Sequence, residues 1–412
     1  MTTFLSARAI YEQVIRNAEN YANCVSQPCV IFVILRRERN TSMKMPFRYG
    51  CVVEGEYFCP RPELERQLRD YAEAGQNLVI QGERRMGKTS LVKKAISGMK
   101  GERLLYIDLY GIRTLSDFCR RVMSGVGGVT EKMPFLKKAL ALAHRLRPAL
   151  TIDATTGAPT ITVDARAASD PDSLDAVMTT IKKLAEDGGL CVVMDEFQDL
   201  LKLEDADRIL AEMRGTIQFQ GDTPYFYLGS VRNDMLKIFT HPDSPFFKSA
   251  LAFEVPPIDT DEFARFIVAR FRKGGCGISM ETARTAIAFA GGVSGDVQEL
   301  CDALWGVTDE GGTVTDGDLP KALSVVFARE KNGFETAVAD LTANQLTVLR
   351  GLAEAGPVRV YSSEFMDRVR ITSPGAVKRA LNSLVASRLI YPHHSEYRFY
   401  NPFFREWIKA NL

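Results

Sequence analysis

Two short segments carry side chains suited to phosphate chemistry. Residues 82–89 read GERRMGKT, a complete Gly-x-x-x-x-Gly-Lys-Thr pattern, and an apolar run at 190–194 ends on Asp195 and Glu196. Glycines let a loop turn its backbone N–H groups toward phosphate oxygens, and carboxylates near such a loop suit a Mg²⁺ ion and an attacking water. Together the two segments predict a nucleotide-hydrolysing site.

The first pattern gives each part of the loop a role. We expect the Lys88 ammonium to reach the β- and γ-phosphates as a binding and catalytic group, and the Thr89 hydroxyl to ligate Mg²⁺. The other residues expected to bind nucleotide are Gly82, Glu83, Arg84, Arg85, Met86, Gly87 and Ser90. The alternative interpretation is a surface glycine turn followed by an exposed lysine.

The elements that must position this loop are also visible in the sequence. Residues 77–81 predict a short buried strand, and residues 90–96 predict an amphipathic helix. Strand, loop and helix therefore come in the order that a phosphate-binding loop requires. The N-terminus of the helix would direct its positive end toward the same anion.

The second segment, LCVVMDEFQDL at 190–200, has no polar residue before its acids, as expected of a strand buried in a parallel sheet. Asp195 is expected to hold Mg²⁺ through its water shell. Glu196 is placed to orient and deprotonate the attacking water, which makes it the candidate general base. A buried strand with solvated acids at its exit is the alternative.

A third predicted strand, at 225–228, runs into a Gly-Ser turn and offers a polar tip between the other two strands. Ser230 or Asn233 is positioned there to sense the terminal phosphate, and Ser230 is taken as a candidate catalytic residue. Strands commonly end in Gly-Ser turns, so a plain turn is the alternative.

Composition limits the remaining classes of protein. The 412 residues are 46% hydrophobic and 25% charged, enough for two or three ordinary cores, and the net charge of +1 confines any nucleic-acid surface to a local patch. The eight cysteines form no Cys-x-x-Cys pair, a usage that favours a reducing cytoplasm. No stretch reaches the about 18 apolar residues of a membrane span. We therefore expect a cytoplasmic protein with no membrane partner.

From about Met45 onward the chain resembles the archaeal-type ATPases of the STAND branch of AAA+-like P-loop NTPases. The resemblance rests on PFRYGCVVEGEYFCPRPELERQL, GERRMGKTSL, MDEFQ, YLGS, SPFF and NPFFREW, in the family's order. It implies an α/β fold, in which a P-loop NTPase parallel sheet sandwiched by helices is followed by a helical lid and a winged-helix domain. It also implies ATP and Mg²⁺ as ligands, and the absence of an Asn-Lys-x-Asp element agrees with adenine rather than guanine.

The expected domains follow from this resemblance and from local helix and turn signals. The lid shows helical patterns at 259–272, 280–289 and 296–305, punctuated by glycines. Residues 1–44 fall outside the resemblance, as an over-extended coding start or a poorly anchored extension. The expected boundaries are 45–256 for the ATPase core, 257–335 for the lid and 341–412 for the winged helix.

An insert at about 127–173 interrupts the core. Residues 133–146 predict an amphipathic helix, and two alternating runs at 149–153 and 160–164 predict a β-hairpin. Such an excursion serves as a partner surface or is a tolerated loop decoration, and the sequence alone does not choose between them.

The chain departs from the family pattern in two places. Ser294 stands where the family carries a lid proline that approaches the nucleotide, which puts that contact in doubt. Lys248-Ser249 follows SPFF where many relatives have Gly-Arg. If that arginine stabilises transition-state charge, the candidates to replace it here are Lys248, Arg84, Arg85, Arg214 and Arg232.

The C-terminal region carries a local basic excess. Residues 341–412 contain ten Lys or Arg and five Asp or Glu, a net charge of +5. As a winged helix, it would place Lys378 and Arg379 in a DNA major groove and Arg388 and Arg398 on phosphates. The competing interpretation is a protein-contact module that packs through its aromatic residues.

The sequence therefore predicts an Mg²⁺-dependent ATP-binding and hydrolysing switch that couples nucleotide state to the winged helix, and through it to duplex DNA or a protein partner. The alternative is a non-catalytic adaptor that ATP merely stabilises. The oligomeric state stays open.

Overall fold

The computed structural model describes residues 45–99, 103–129, 146–152, 159–164, 168, 172–229, 232–356, 360–371, 373–393 and 396–412. These residues divide into two compact units. Val52–Pro257 is called the core unit here, and residues 45–51 together with Ile258–Leu412 are called the C-terminal unit. The expected N-terminal extension, 1–44, lies outside the described residues.

The core unit alternates strands and helices. In chain order its elements are α1 (Pro62–Glu73), β1 (Leu78–Gln81), α2 (Lys88–Ser97), β2 (Arg103–Asp108), α3 (Leu115–Val129), β3 (Ala149–Ile152), β4 (Pro159–Thr162), α4 (Ser173–Ala185), β5 (Leu190–Asp195), a 3-10 helix (Phe197–Lys202), α5 (Ala206–Ile217), β6 (Tyr225–Leu228), α6 (Arg232–Thr240) and β7 (Leu251–Glu254). Strands followed by helices in this way must be joined by crossovers, which gives a parallel sheet.

Five strands form that sheet in the order β2-β5-β6-β1-β7, and every pair is parallel. Strand β6 pairs with β1 on one side and with β5 on the other, so its tip lies between the two motif-bearing strands as expected. After β1 the chain crosses to the edge strand β2 and then returns through β5 and β6, so the direction of the strand order reverses. Ligands of open α/β sheets bind at the carboxyl ends of strands at such points.

Successive side chains of each buried strand point to opposite faces of the sheet. Because the strands are apolar on both faces, helices cover both of them. Val192 and Met194 of β5 belong to one apolar cluster, with residues of α3, α4 and α5. Cys191 and Val193 belong to the other, with residues of α1 and α2. The predicted three-layer α/β fold is confirmed.

The predicted hairpin in the insert is also confirmed. Strands β3 and β4 pair antiparallel, with Ala149 opposite Thr162 and Ile152 opposite Pro159. Ile161 is buried in the same apolar cluster as α3, so this hairpin packs on the core through one face. The helix predicted at 133–146 lies outside the described residues apart from its last residue.

The C-terminal unit is mainly helical. Its elements are α7 (Thr260–Lys273), β8 (Gly277–Ile278), α8 (Met280–Phe289), α9 (Ser294–Val307), β9 (Thr313–Val314), a 3-10 helix (Asp316–Asp318), α10 (Leu319–Ala339), α11 (Ala343–Ala355), α12 (Ser363–Val369), α13 (Pro374–Ala386), β10 (Ile390–His393), β11 (Glu396–Phe399) and α14 (Pro402–Asn411). The three helices predicted for the lid are present, each within two residues of its expected ends, and residues 341–412 contain the helices α11, α12 and α13, the β10–β11 hairpin and α14.

Several elements were not anticipated individually, among them the core helices α3, α4, α5 and α6. Strand β2 was missed although Leu104–Asp108 is an apolar run that ends on an acid, and it forms one edge of the sheet. The 21-residue helix α10 was also missed. Within the described residues, no helix combines the length and the apolar character needed to cross a bilayer.

The contact of α3 with β2 yields a stability prediction. A Cβ added at Gly125 would lie 2.6 Å from the Tyr106 carbonyl oxygen and 3.2 Å from Leu105 Cδ1, so Gly125→Ala must displace the strand backbone. We expect it to lower the free energy of unfolding by about 1–3 kcal/mol, as overpacking does. Urea or thermal unfolding measures the change.

Gly128 on the same helix is the matched control. A Cβ there meets no atom within 4 Å, so Gly128→Ala should raise stability by about 0.5–1 kcal/mol through helix propensity. Equal effects of the two substitutions would show that the close approach at Gly125 does not exist in solution.

Candidate functional site

The phosphate-binding loop joins β1 to α2 and depends on glycine at both ends. A Cβ at Gly82 would lie 3.0 Å from the Val255 carbonyl oxygen and 3.7 Å from Lys88 Cδ, so a side chain there would press on the backbone that follows β7. Gly87 has a φ of 78° and forms the N-cap of α2. Only glycine adopts that left-handed conformation without steric cost, and it is what directs the first N–H groups of α2 into the loop.

Lys88 is buried inside this loop. Its ammonium donates hydrogen bonds to the carbonyl oxygens of Gly82, at 2.9 Å, and Glu83, at 2.8 Å. Burial lowers the pKa of Lys88 from its ordinary value, and the negative charges of Glu196 and Asp195 oppose that change. The lysine is therefore a partly desolvated cation, and removal from water strengthens its attraction for phosphate oxygens.

The Asp195 carboxylate collects donors from separate elements. Its Oδ2 accepts the Thr89 hydroxyl of α2 at 2.5 Å and the Tyr106 hydroxyl of β2 at 2.9 Å. Its Oδ1 accepts the backbone N–H of Glu196 at 2.9 Å. The structure thus brings the two predicted Mg²⁺ ligands, Thr89 and Asp195, into direct contact across 106 residues of sequence.

Tyr106 makes one contact through its hydroxyl and another through its ring. Burial and the charge of Asp195 raise the pKa of its phenol well above the ordinary value, so the hydroxyl stays protonated and donates. The Lys93 ammonium of α2 lies 4.1 Å from the centre of its ring. The cation and the ring attract each other, and α2 and β2 are linked in a second place.

Glu196 follows Asp195 in a left-handed backbone conformation, with φ of 51° and ψ of 42°. Such a conformation is uncommon for a residue with a Cβ and marks a functional position when its surroundings enforce it. Gln198 Nε2 donates to Glu196 Oε2 at 2.5 Å. The direction of this carboxylate is therefore set by its backbone and by a buried amide.

Phe197 enforces the turn at Glu196. Its fully buried ring lies 4.6 Å from Tyr227 of β6, 5.7 Å from Phe239 of α6 and 5.6 Å from Phe246, measured between ring centres. Phe246 belongs to the SPFF segment, whose next residue, Phe247, is exposed. The MDEFQ and SPFF motifs are therefore two sides of one aromatic cluster, which anchors the chain directly after the catalytic candidates.

Arg61 supports the loop from its outer side. Its guanidinium donates to the carbonyl oxygens of Met86, at 2.9 Å, and Pro256, at 3.1 Å, and burial lowers its pKa. Its backbone N–H donates to the Glu65 carboxylate at 2.9 Å. The lead-in segment PRPELERQL thus fixes the position of the loop backbone through one arginine.

The remaining residues predicted for the loop have different surroundings. Glu83 and Arg84 are exposed, and Arg85 has a φ of 65°. The Ser90 hydroxyl accepts the backbone N–H of Val53 at 3.0 Å, which ties α2 to the lead-in segment. Ser230 lies outside the described residues, so its predicted catalytic role stays a prediction.

The candidates for the missing arginine are dispersed. Lys248 is exposed, with a φ of 53°, and its ammonium lies 5.2 Å from the Phe247 ring centre. Arg214 lies half-buried in the last turn of α5. Arg232 is the first residue of α6. Which of them acts on a transition state stays a prediction.

Three residues that hold the site escaped the sequence analysis. Tyr106, Gln198 and Arg61 each bond a predicted site residue through a side chain. Only Gln198 carried a local signal, because a glutamine two residues after a catalytic acid reaches it when a tight 3-10 turn follows. Tyr106 and Arg61 act across 89 and 25 residues of chain, respectively.

The basic residues predicted to contact DNA share one C-terminal region. Lys378 and Arg379 are exposed on α13, and Arg398 is exposed on β11. Arg388 is exposed in the turn between α13 and β10, with a φ of 55°. The four side chains are thus accessible to a partner.

The residues present fit a nucleotide phosphate with Mg²⁺. The loop closes around a buried ammonium, because Lys88 Nζ donates to the carbonyl oxygens of Gly82 and Glu83. Thr89 and Asp195 supply a hydroxyl and a carboxylate oxygen, the hard donors that Mg²⁺ prefers.

Two protein-family models match parts of this chain. A family model described as an AAA domain matches residues 71–224, and one described as a probable winged helix domain matches residues 332–410. The chain therefore combines an AAA domain, with its P-loop ATPase-like fold, and a C-terminal winged-helix domain. The predicted resemblance to AAA+-like P-loop proteins is confirmed at this level.

Solved structures agree with this fold. The chain is similar to a Walker-type ATPase of Pyrococcus abyssi, with a TM-score of 0.61, 20% identity, and coverage of 86% of this chain and 97% of that one. It also matches the ORC2 protein of Aeropyrum pernix in ADPNP and ADP complexes, with a TM-score of 0.49, 16% identity, and coverage of 85% and 92%. The first likeness supports the fold alone, and a comparison with curated protein sequences finds no match.

The bond between Tyr106 and Asp195 can be tested without any ligand. Tyr106→Phe removes the hydroxyl and leaves the ring below Lys93, so Asp195 loses one donor. Because hydrogen bonds to charged groups contribute about 1.5–3 kcal/mol, we expect the free energy of unfolding to fall by about 1–2 kcal/mol. Thermal unfolding of the ligand-free protein measures it.

The control is Tyr110→Phe, which removes the same atom from an exposed side chain two residues beyond β2. It should leave stability within about 0.5 kcal/mol of the wild type. An equal loss in both variants would contradict a specific bond to Asp195.

Proposed function

We propose that this protein is an Mg²⁺-dependent ATPase that acts as a slow molecular switch of the STAND type. The observation that carries the proposal is the convergence on Asp195: the Thr89 hydroxyl lies 2.5 Å from its carboxylate, and the buried Lys88 and the oriented Glu196 lie in the same site. A protein that bound nucleotide only as a structural ligand would need the loop but not the oriented acid.

The side chains divide the work in this proposal. Lys88 and the N–H groups at the start of α2 bind the β- and γ-phosphates, and Glu196 orients a water and accepts its proton. Thr89 and Asp195 hold Mg²⁺. Bound there, Mg²⁺ would neutralise phosphate charge and so favour transfer of the γ-phosphoryl group to water, with ADP as the leaving group. Ser230 is proposed as a sensor at the tip of β6.

Adenine rather than guanine is proposed on the family resemblance. The switch itself requires that the ATP and ADP forms differ in their preferred conformation, since only a differential affinity shifts a population between states. The slow hydrolysis proposed here would then set the lifetime of the ATP form.

Turnover by purified protein tests the catalytic roles. Glu196→Gln removes the general base and keeps the shape of the side chain, so we expect ATP turnover to fall by about 10²–10⁴-fold with ATP affinity retained. Lys88→Ala removes a phosphate ligand and should reduce both affinity and turnover. Phosphate release and equilibrium binding of ATP, both with Mg²⁺, supply the two measurements.

Glu186→Gln is the matched control, because it makes the same substitution at an exposed acid of the core unit whose carboxylate contacts Lys183. It should turn over ATP as the wild type does. If the wild type binds ATP with no turnover under any condition, the catalytic proposal is wrong and the alternative adaptor function replaces it.

For the winged helix we propose contact with duplex DNA. The exposed side chains of Lys378, Arg379, Arg388 and Arg398 and the net charge of +5 over residues 341–412 support it. Lys378 and Arg379 are neighbours on α13, the helix expected to enter the major groove, while the other two would bind phosphates. A protein partner on the same face is the competing outcome of the test.

Charge reversal tests the DNA proposal. Lys378→Glu with Arg379→Glu should weaken duplex binding by at least about 10-fold near 0.1 M salt and reduce the slope of log K against log salt by about 2. Fluorescence anisotropy at several salt concentrations measures both quantities.

Lys182→Glu with Lys183→Glu on α4 changes the net charge equally and leaves the winged helix intact. It should keep the wild-type affinity and salt slope. If both double variants weaken binding alike, the attraction is a property of the whole protein's charge, and the α13 surface is not a DNA-binding site.

A further inference from the structure

Gln198 stands between the proposed general base and the tip of β6. It lies in the 3-10 helix after β5 and is only 4% exposed. Its Nε2 donates to Glu196 Oε2 at 2.5 Å. A carboxylate oxygen only accepts hydrogen bonds, so the amide must present its NH₂ group to Glu196 and turn its oxygen the other way.

The amide oxygen then faces the end of β6. Gln198 Oε1 is buried and has no hydrogen-bond partner among the described residues. A Cβ built on Gly229 would lie 2.6 Å from this oxygen and 2.5 Å from Met235 Cγ. The close approach of this oxygen to the backbone at Gly229 places the amide between the end of β5 and the end of β6.

Glycine at position 229 is what leaves room for this arrangement. Any side chain there would meet the amide of Gln198 or the thioether of Met235, which is fully buried in α6. The backbone at the tip of β6 therefore lies close to the side chain that orients Glu196, with no room for a Cβ between them. The buried amide of Gln198 thus links the end of β5, where Glu196 lies, to the end of β6.

We infer that Gln198 is a positioning residue for Glu196 and that it transmits the position of the β6 tip to this acid. The inference rests on the proposed ATPase function. The amide holds the Glu196 carboxylate through Nε2, and displacement of the β6 tip moves the amide through Oε1. Nucleotide binding by Lys88 and Thr89 does not require it.

The first test separates turnover from binding. Gln198→Ala should reduce ATP turnover by about 10- to 100-fold, because a misplaced catalytic group costs that much, and should leave ATP affinity within about threefold of the wild type. Gln198→Glu, of equal size, removes the donor and sets a second carboxylate against Glu196, so it should be no more active than Gln198→Ala. Gln220→Ala is the control: Gln220 is another buried glutamine, bonded to the Tyr225 hydroxyl at 2.9 Å and outside the site.

The second test displaces the amide without altering it. Of the three atoms nearest to a Cβ at residue 229, Met235→Ala removes two, so that adding Gly229→Ala in that background brings the new methyl group against the third, Gln198 Oε1. Relative to Met235→Ala alone, the double variant should lose turnover as Gln198→Ala does and keep ATP affinity. Equal turnover in the single and double variants overturns the link to β6.

A third measurement needs neither ATP nor Mg²⁺. In the ligand-free protein, the melting temperatures of Gln198→Ala, Glu196→Ala and their combination should be non-additive, since residues in direct contact couple. The same cycle with Gln220→Ala should be additive. Additivity in both cycles overturns the contact itself.

The outcomes distinguish this inference from the function on which it rests. Absent turnover in the wild type overturns the proposed ATPase and, with it, the positioning role. An active wild type with an equally active Gln198→Ala leaves the ATPase standing and overturns the positioning role alone. A parallel loss of ATP affinity in Gln198→Ala shows that Gln198 maintains the binding site and also overturns the inference.

Discussion

The site depends on the hydrogen bonds that converge on the Asp195 carboxylate. Donors come from Thr89 on α2, Tyr106 on β2 and the backbone of Glu196, so one side chain joins the phosphate-binding helix to an edge strand of the sheet. A carboxylate buried this far would be costly without such donors. With them, the same oxygen atoms that stabilise the fold are set at the position where a hard metal ion would bind. Structural and functional demands on Asp195 therefore coincide.

The aromatic cluster behind the site explains why motifs far apart in the chain occur together. Phe197 of MDEFQ packs on Tyr227 of YLGS and on Phe246 of SPFF. Each motif supplies one ring to a dry cluster beneath the strand ends, and buried rings in close contact stabilise a fixed backbone. That cluster holds Glu196 in its left-handed turn, so the proposed acid is aimed by packing on one side and by Gln198 on the other.

Within the C-terminal unit, α10 belongs to both the lid and the winged helix. Arg329, at its centre, bonds Asp302 of α9 at 2.9 Å. Phe334 in its C-terminal half packs on Phe404 and Trp407 of α14, with ring centres 5.1 and 5.6 Å apart. One continuous helix therefore contacts both α9 and α14 within this unit.

The sequence by itself determined the loop, the two acids, the third strand between them and the lid and winged-helix helices. Lys88, Thr89, Asp195 and Glu196 could be predicted because the loop geometry and the strand end need particular residues at fixed spacing, which is local information. Tyr106, Arg61 and the contact of Gln198 with Gly229 were decided only by the tertiary structure. Tyr106 meets Asp195 from 89 residues away, and Arg61 meets Pro256 from 195 residues away. Such pairs have no spacing rule, because the order of strands in the sheet, and not the chain between them, brings the atoms together.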